Sequence, residues 1–131
     1  MSPPSDTDWR YGVYLFPLPL LLGLVAVGGM WAFVALTSSG SFSEADALAG
    51  IAAFLLTVAG SWLAILFGGL VAVSAFMDAR ALADRGWWSP NRYAVGAVGL
   101  LHLVATQVLP LSLLSTPLLG YYCYRRHQRV P

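Results

Sequence analysis

His102 is the one ionisable side chain set well inside an apolar stretch, with Thr106 one helical turn on and Gln107 beside it. Keeping an imidazole in apolar surroundings is costly unless something uses or satisfies it. A histidine in a membrane-spanning segment is therefore a candidate for handling protons or a polar solute. Thr106 and Gln107 would complete such a site with hydroxyl and amide partners near a chain reversal that water can reach. The plainer reading is a neutral ring donating to a carbonyl or to Thr106, while Gln107, Thr106 and Ser112 satisfy the turn. No carboxylate or second histidine lies within an apolar stretch to form a relay with it.

Other chemistry is sparse. There is no glycine-rich phosphate loop, no pair of carboxylates at acid/base spacing and no serine–histidine–aspartate set. The single cysteine, Cys123, excludes an internal disulfide and a cysteine-based metal site. No catalytic residues, metal ligands or cofactors are expected. Asp78, Arg80, Asp84 and Arg85 alternate in sign and read as a local salt-bridge network of low value.

The positions of the bases say more than their number. All seven are arginines: Arg10, then Arg80, Arg85 and Arg92, then Arg125, Arg126 and Arg129. Arg125, Arg126 and Arg129 form a cluster suited to anionic lipid headgroups, and nothing in the spacing suggests a nucleic-acid groove. Tryptophans and tyrosines flank each group, as in an aromatic belt at one membrane interface. The only other polar break, Thr37 to Asp46, carries Glu44 and Asp46 and no base.

The elements that must position these residues are long and apolar. Hydrophobic residues make up 58% and charged residues 10%, against about 25% charged in a soluble domain. The chain is expected to be one integral membrane domain, residues 1–131, and an all-α polytopic transmembrane helical bundle. Helices are predicted at about 12–36, 47–85, 90–107 and 110–126. The first has no basic n-region over Met1 to Trp9 and reads as a retained span, with Pro17 and Pro19 in its opening turns or kinking it. Gly86 is placed to end the second helix, and Ser89-Pro90 to begin the third as N-cap and N1.

The stretch 94–124 decides the topology. As a short hairpin broken near Pro110, it puts all seven arginines on one side and Glu44 and Asp46 on the other. As one helix kinked at Pro110 and Pro117, it gives three crossings and divides the arginines. Charge favours the hairpin, although each arm covers only ~24–26 Å at about 1.5 Å per residue. It can cross the bilayer fully or turn within it.

Gly60, Ala64, Gly68 and Ala72 form a four-spaced ridge of small residues that allows close helix approach, with Gly28 and Ala32 as its expected partners. Trp62 is expected to face the bundle, a ligand or a neighbouring subunit.

The second half carries Asp78, then Trp88-Ser89-Pro90-x-x-Tyr93, then Tyr122-x-Tyr124-Arg125-Arg126-His127-x-x-Val130. In these anchors and caps it resembles small uncharacterised integral membrane proteins of halophilic archaea. The likeness covers less than half the chain and implies a membrane location and no catalytic role. The expected function is a non-enzymatic structural or accessory subunit of the cell membrane, multi-pass, with both termini cytoplasmic. It would pack with lipid and with itself or a larger membrane complex. The alternative is a small channel or transporter built around His102.

Overall fold

A 41-residue helix runs through the molecule as its spine. The computed structural model describes residues 7–41 and 43–130, so Met1 to Asp6 of the N-terminal region considered above lie outside it. Among the described residues every regular element is helical. They are α1 (Trp9–Tyr14), α2 (Pro17–Thr37), α3 (Glu44–Asp84), α4 (Arg92–Ala105), a 3₁₀ turn (Leu109–Leu111) and α5 (Ser112–Arg129).

The first predicted helix is thus two pieces. Pro17 and Pro19 lack the N–H groups that would continue the ladder from Val13 and Leu15. Those carbonyls instead accept from Phe16 (3.1 Å) and Leu18 (2.9 Å) in tighter three-residue steps.

The spine is α3, about 60 Å long at about 1.5 Å per residue. It starts at Glu44 because Ser43 and Asp46 form a reciprocal capping box, which moves the predicted start back from 47. Gly86, at φ 70°, ends it as expected for a C′ glycine. The start of α4 differs from the expectation. Asn91, and not Ser89, is the N-cap, and its side-chain oxygen accepts from the N–H groups of Tyr93 and Ala94 at 3.0 and 3.2 Å. Arg92 therefore occupies N1.

The last two helices form a hairpin, closed over Thr106 to Leu111 by the 3₁₀ turn that holds Pro110. The single kinked helix is thereby set aside. Pro117 stays inside α5.

Small residues set the register of each pairing. A Cβ on Gly60 would lie 3.1 Å from the Leu22 carbonyl, and one on Gly29 would lie 2.9 Å from that of Ala53, so α2 and α3 run antiparallel. Further along the spine a Cβ on Gly68 would meet Leu103 at 2.8 Å, and one on Gly99 would meet Ala72 at 2.7 Å. Gly60, Ala64, Gly68 and Ala72 are all buried, and the ridge seats α2 at one end and α4 at the other. Its partners on α2 are not Gly28 and Ala32, which are exposed. Gly60 meets Leu22 and Ala26 instead, while Gly29 packs on Ala53 and Thr57 below the ridge and Gly23 meets Thr106 of the hairpin turn. Gly23, Ala26 and Gly29 form the buried face of α2 that Pro19 also occupies. Trp62 turns away from the bundle and is 64% exposed.

Candidate functional site

Two polar centres lie inside this frame, and His102 holds the first. Its α4 position, at the seam with α5 and next to the α1–α2 break, leaves the ring with no exposed surface. Nε2 lies 2.6 Å from the Phe16 carbonyl and Nδ1 lies 3.0 Å from the Ser115 hydroxyl. A carbonyl can only accept, so Nε2 carries the proton. In the neutral ring Nδ1 then accepts from Ser115. Both nitrogens are used, and the ring ties three segments together.

The other two residues of the expected site stay local. The Thr106 hydroxyl donates to the Leu103 carbonyl at 2.7 Å, and the Gln107 amide donates to Thr106 at 3.3 Å. Gln107 is exposed on the turn. The three do not converge on a common point. The partner expected for His102 within its own helix, Thr106, is replaced by Ser115 from the opposing arm, which linear spacing does not reveal.

The second centre lies at the arginine-rich end. Asp78 of α3 is wholly buried and Arg126 of α5 is 2% exposed. The guanidinium grips the carboxylate with two bonds, Nε to Oδ2 at 2.7 Å and Nη2 to Oδ1 at 3.0 Å. Tyr122 donates to Oδ2 at 2.8 Å, and the Thr7 hydroxyl donates to Oδ1. Arg126 also donates from Nη2 to Thr7 (2.9 Å) and from Nη1 to Tyr14 (3.5 Å). Trp88 stacks on Tyr122 with ring centroids 5.5 Å apart. The N-terminal segment, α1, α3 and α5 thus meet at one carboxylate.

This corrects the role given to Arg126. It does not reach headgroups beside Arg125 and Arg129, because its helix turns it inward, one turn after Tyr122, onto Asp78. Asp78 likewise does not join the surface network. Arg80 and Asp84 do, at 4.0 Å and well exposed, where such a pair contributes little. A usable signal was present in the sequence: Asp78 continues the apolar stripe Val71, Ala75 and Leu82. An acid on a buried face needs a base from another element.

Chemically the cluster is closed. A carboxylate with both oxygens doubly engaged has no lone pair facing a substrate, and bidentate pairing holds the guanidinium in one orientation. It is built to clamp helices. No protein-family model, curated protein or solved structure matches the chain.

Proposed function

We propose that the chain is a small non-enzymatic integral membrane protein, an accessory or structural subunit that packs laterally with other membrane components. One contrast carries the reading: His102 and the Asp78–Arg126 cluster are buried with their polar atoms engaged, while the long helices turn large apolar side chains outward. Two helical stretches, Trp9–Thr37 and Glu44–Asp84, are long and apolar enough to cross a bilayer, and only 17% and 22% of their most apolar windows are buried within the protein. The core helix of a soluble protein would be mostly covered. Here Leu113 is 82% exposed and Trp31 is 73% exposed, surfaces that hydrocarbon accepts and water does not.

In this reading the arginine-rich end faces the cytoplasm, by the positive-inside rule, and residues 37–46 lie on the far side. The α4–α5 hairpin turns back beside Gly23, partway along α2, which supports a re-entrant hairpin over a pair of full crossings. A channel reading needs a water path to His102, and the covered, doubly bonded ring favours the structural role. The test combines carbonate extraction with labelling of single cysteines at positions 41 and 128 in a Cys123→Ser background. Expected are membrane retention and labelling from opposite sides; extraction into the soluble fraction, or labelling of both from one side, overturns it. Co-purification in mild detergent then identifies the lateral partner.

A further inference from the structure

We propose that the seam between α3 and α4 binds an anionic phospholipid, with one acyl chain in its groove and the phosphate held between Arg80 and Arg92. This rests on the membrane reading above and adds a ligand class to it. The groove, about 360 Å³, is lined by Val73, Phe76 and Met77 from α3 and by Gly96, Ala97 and Leu100 from α4. It opens on the outer surface, where Val73 and Leu100 are exposed. Gly96 makes the depth: a Cβ there would stand 3.2 Å from the Phe76 ring.

The charge at its mouth identifies the occupant. Gly68 meets Leu103, Ala72 meets Gly99 and Phe76 meets Gly96. One more turn along each antiparallel helix brings Arg80 opposite Arg92. Arg80 is also the next residue on the Val73–Phe76–Met77 stripe, one turn beyond Phe76. Tyr93 walls the groove, with its ring centroid 5.9 Å from that of Phe76. The Arg92 guanidinium lies over the Tyr93 ring at 5.1 Å, which holds it at the entrance. The Arg80 side chain is 54% exposed and reaches Asp84 only at 4.0 Å, a loose contact that a phosphate can displace. A second copy of this chain would bring the same two arginines to the seam and be repelled. A zwitterionic lipid would satisfy the groove but not the paired positive charge. An apolar chain below two cations fits a lipid with net negative charge.

The test uses the full-length protein in mild detergent, with phosphatidylglycerol and phosphatidylcholine of identical chains titrated and read by native mass spectrometry and thermal unfolding. One arginine beside a headgroup is worth about fivefold in affinity, so phosphatidylglycerol should be favoured by about 25-fold. Arg80→Gln/Arg92→Gln should remove that preference and Arg92→Gln alone should remove about half of it on a logarithmic scale. Ser43→Ala, at the opposite end of α3, should retain it. Ala97→Phe, which fills the groove, should weaken binding of both lipids. Equal binding of the two lipids by the parent overturns the proposal, as does a preference that survives in Arg80→Gln/Arg92→Gln. Displacement of phosphatidylglycerol by equimolar inorganic phosphate also overturns it, by showing that the chain contributes nothing. Failure of the membrane reading looks different: the parent would then leave the membrane on carbonate extraction before any lipid is added.

Discussion

The two ends of α3 are built on opposite plans. From Glu44 to about Gly60 its one regular neighbour is α2, and its buried residues there are Gly50, Ala53 and Gly60. From Ala64 to Leu82 it is enclosed by α1, α4 and α5, and the buried set is dense: Ala64, Gly68, Val71, Ala72, Ser74, Ala75, Asp78, Ala79 and Leu82. The first half is a two-helix hairpin held by close backbone approach. The second is a bundle that encloses the Asp78–Arg126 clamp and His102. Two helices cannot enclose a polar group, because each has only one covered face. Four can, so the buried charge and the histidine occur only where the bundle is complete. The difference teaches that burial of polar groups needs the complete bundle. The two-helix half exposes large apolar side chains such as Trp31, while the other half encloses the charge pair and the histidine.

The largest effect is expected at the clamp. Asp78→Leu leaves the buried Arg126 guanidinium with hydroxyl contacts in place of its carboxylate and should destabilise by about 3–5 kcal/mol. The double variant Asp78→Leu/Arg126→Leu should recover most of that loss. Detergent unfolding followed by hydrogen exchange checks both the size and the place. If the 44–60 segment of α3 loses protection as early as 64–82, the two halves are a single cooperative unit and the contrast fails.

Next come the glycine contacts. Gly99→Leu drives a side chain at the α3 backbone, and Gly23→Leu drives one at the Thr106 carbonyl, 2.7 Å from the new Cβ. Each should cost about 1–3 kcal/mol in thermal unfolding. Gly68→Leu should cost less than Gly99→Leu, since its nearest neighbour is the far end of the Leu103 side chain. Gly28→Leu meets nothing within 4 Å and should leave stability unchanged. A strong effect there would reveal a partner on the exposed face of α2.

His102 sharpens the comparison from the polar side. His102→Leu strands the Ser115 hydroxyl and removes a donor from the Phe16 carbonyl, at about 1–3 kcal/mol. His102→Gln keeps a donor and an acceptor and should preserve abundance and assembly. A pH-dependent flux in liposomes, present in the parent and lost in His102→Gln, would replace the structural role with a transport role.

The smallest effect is predicted at the open end. Ser43→Ala removes the α3 cap and should cost about 1 kcal/mol, confined to the first turns. The Asp46 carboxyl is held below its ordinary value of 3.8 by hydrogen bonds from the Ser43 hydroxyl and then the Ser43 N–H. Its folded pKa is depressed, so its contribution is complete above pH 3.8 and disappears as the pH falls through the lower folded value. Local exchange at Ala47 and Leu48 should rise in that acid range and be unaffected at neutral pH.

Much of this was legible in the chain. Apolar length predicted the helices and Gly86 the end of α3, because these depend on local propensity, and the hairpin over 94–124 was the reading that the arginine positions favoured. The four-spaced ridge was legible for the same reason, since spacing alone puts Gly60, Ala64, Gly68 and Ala72 on one face. The cap at Asn91 was missed because Ser89-Pro90 offers an equally good local signal, and the choice between them follows from how the short link after Gly86 reaches α4.

By itself the sequence determined an all-helical chain, the length of its spine and the gathering of its bases near the ends of apolar stretches. Tertiary structure alone decided the partners. His102 pairs with Ser115 and Phe16, Arg126 turns inward to Asp78 and Tyr122, and Gly23 and Gly29 meet the hairpin and the spine in place of Gly28 and Ala32. The physical reason is that periodicity fixes which residues share a face but not the rotation of one helix against another. A rotation of one residue exchanges Gly28 for Gly29. It is set by all the close contacts together and by the few buried polar groups that must find one another.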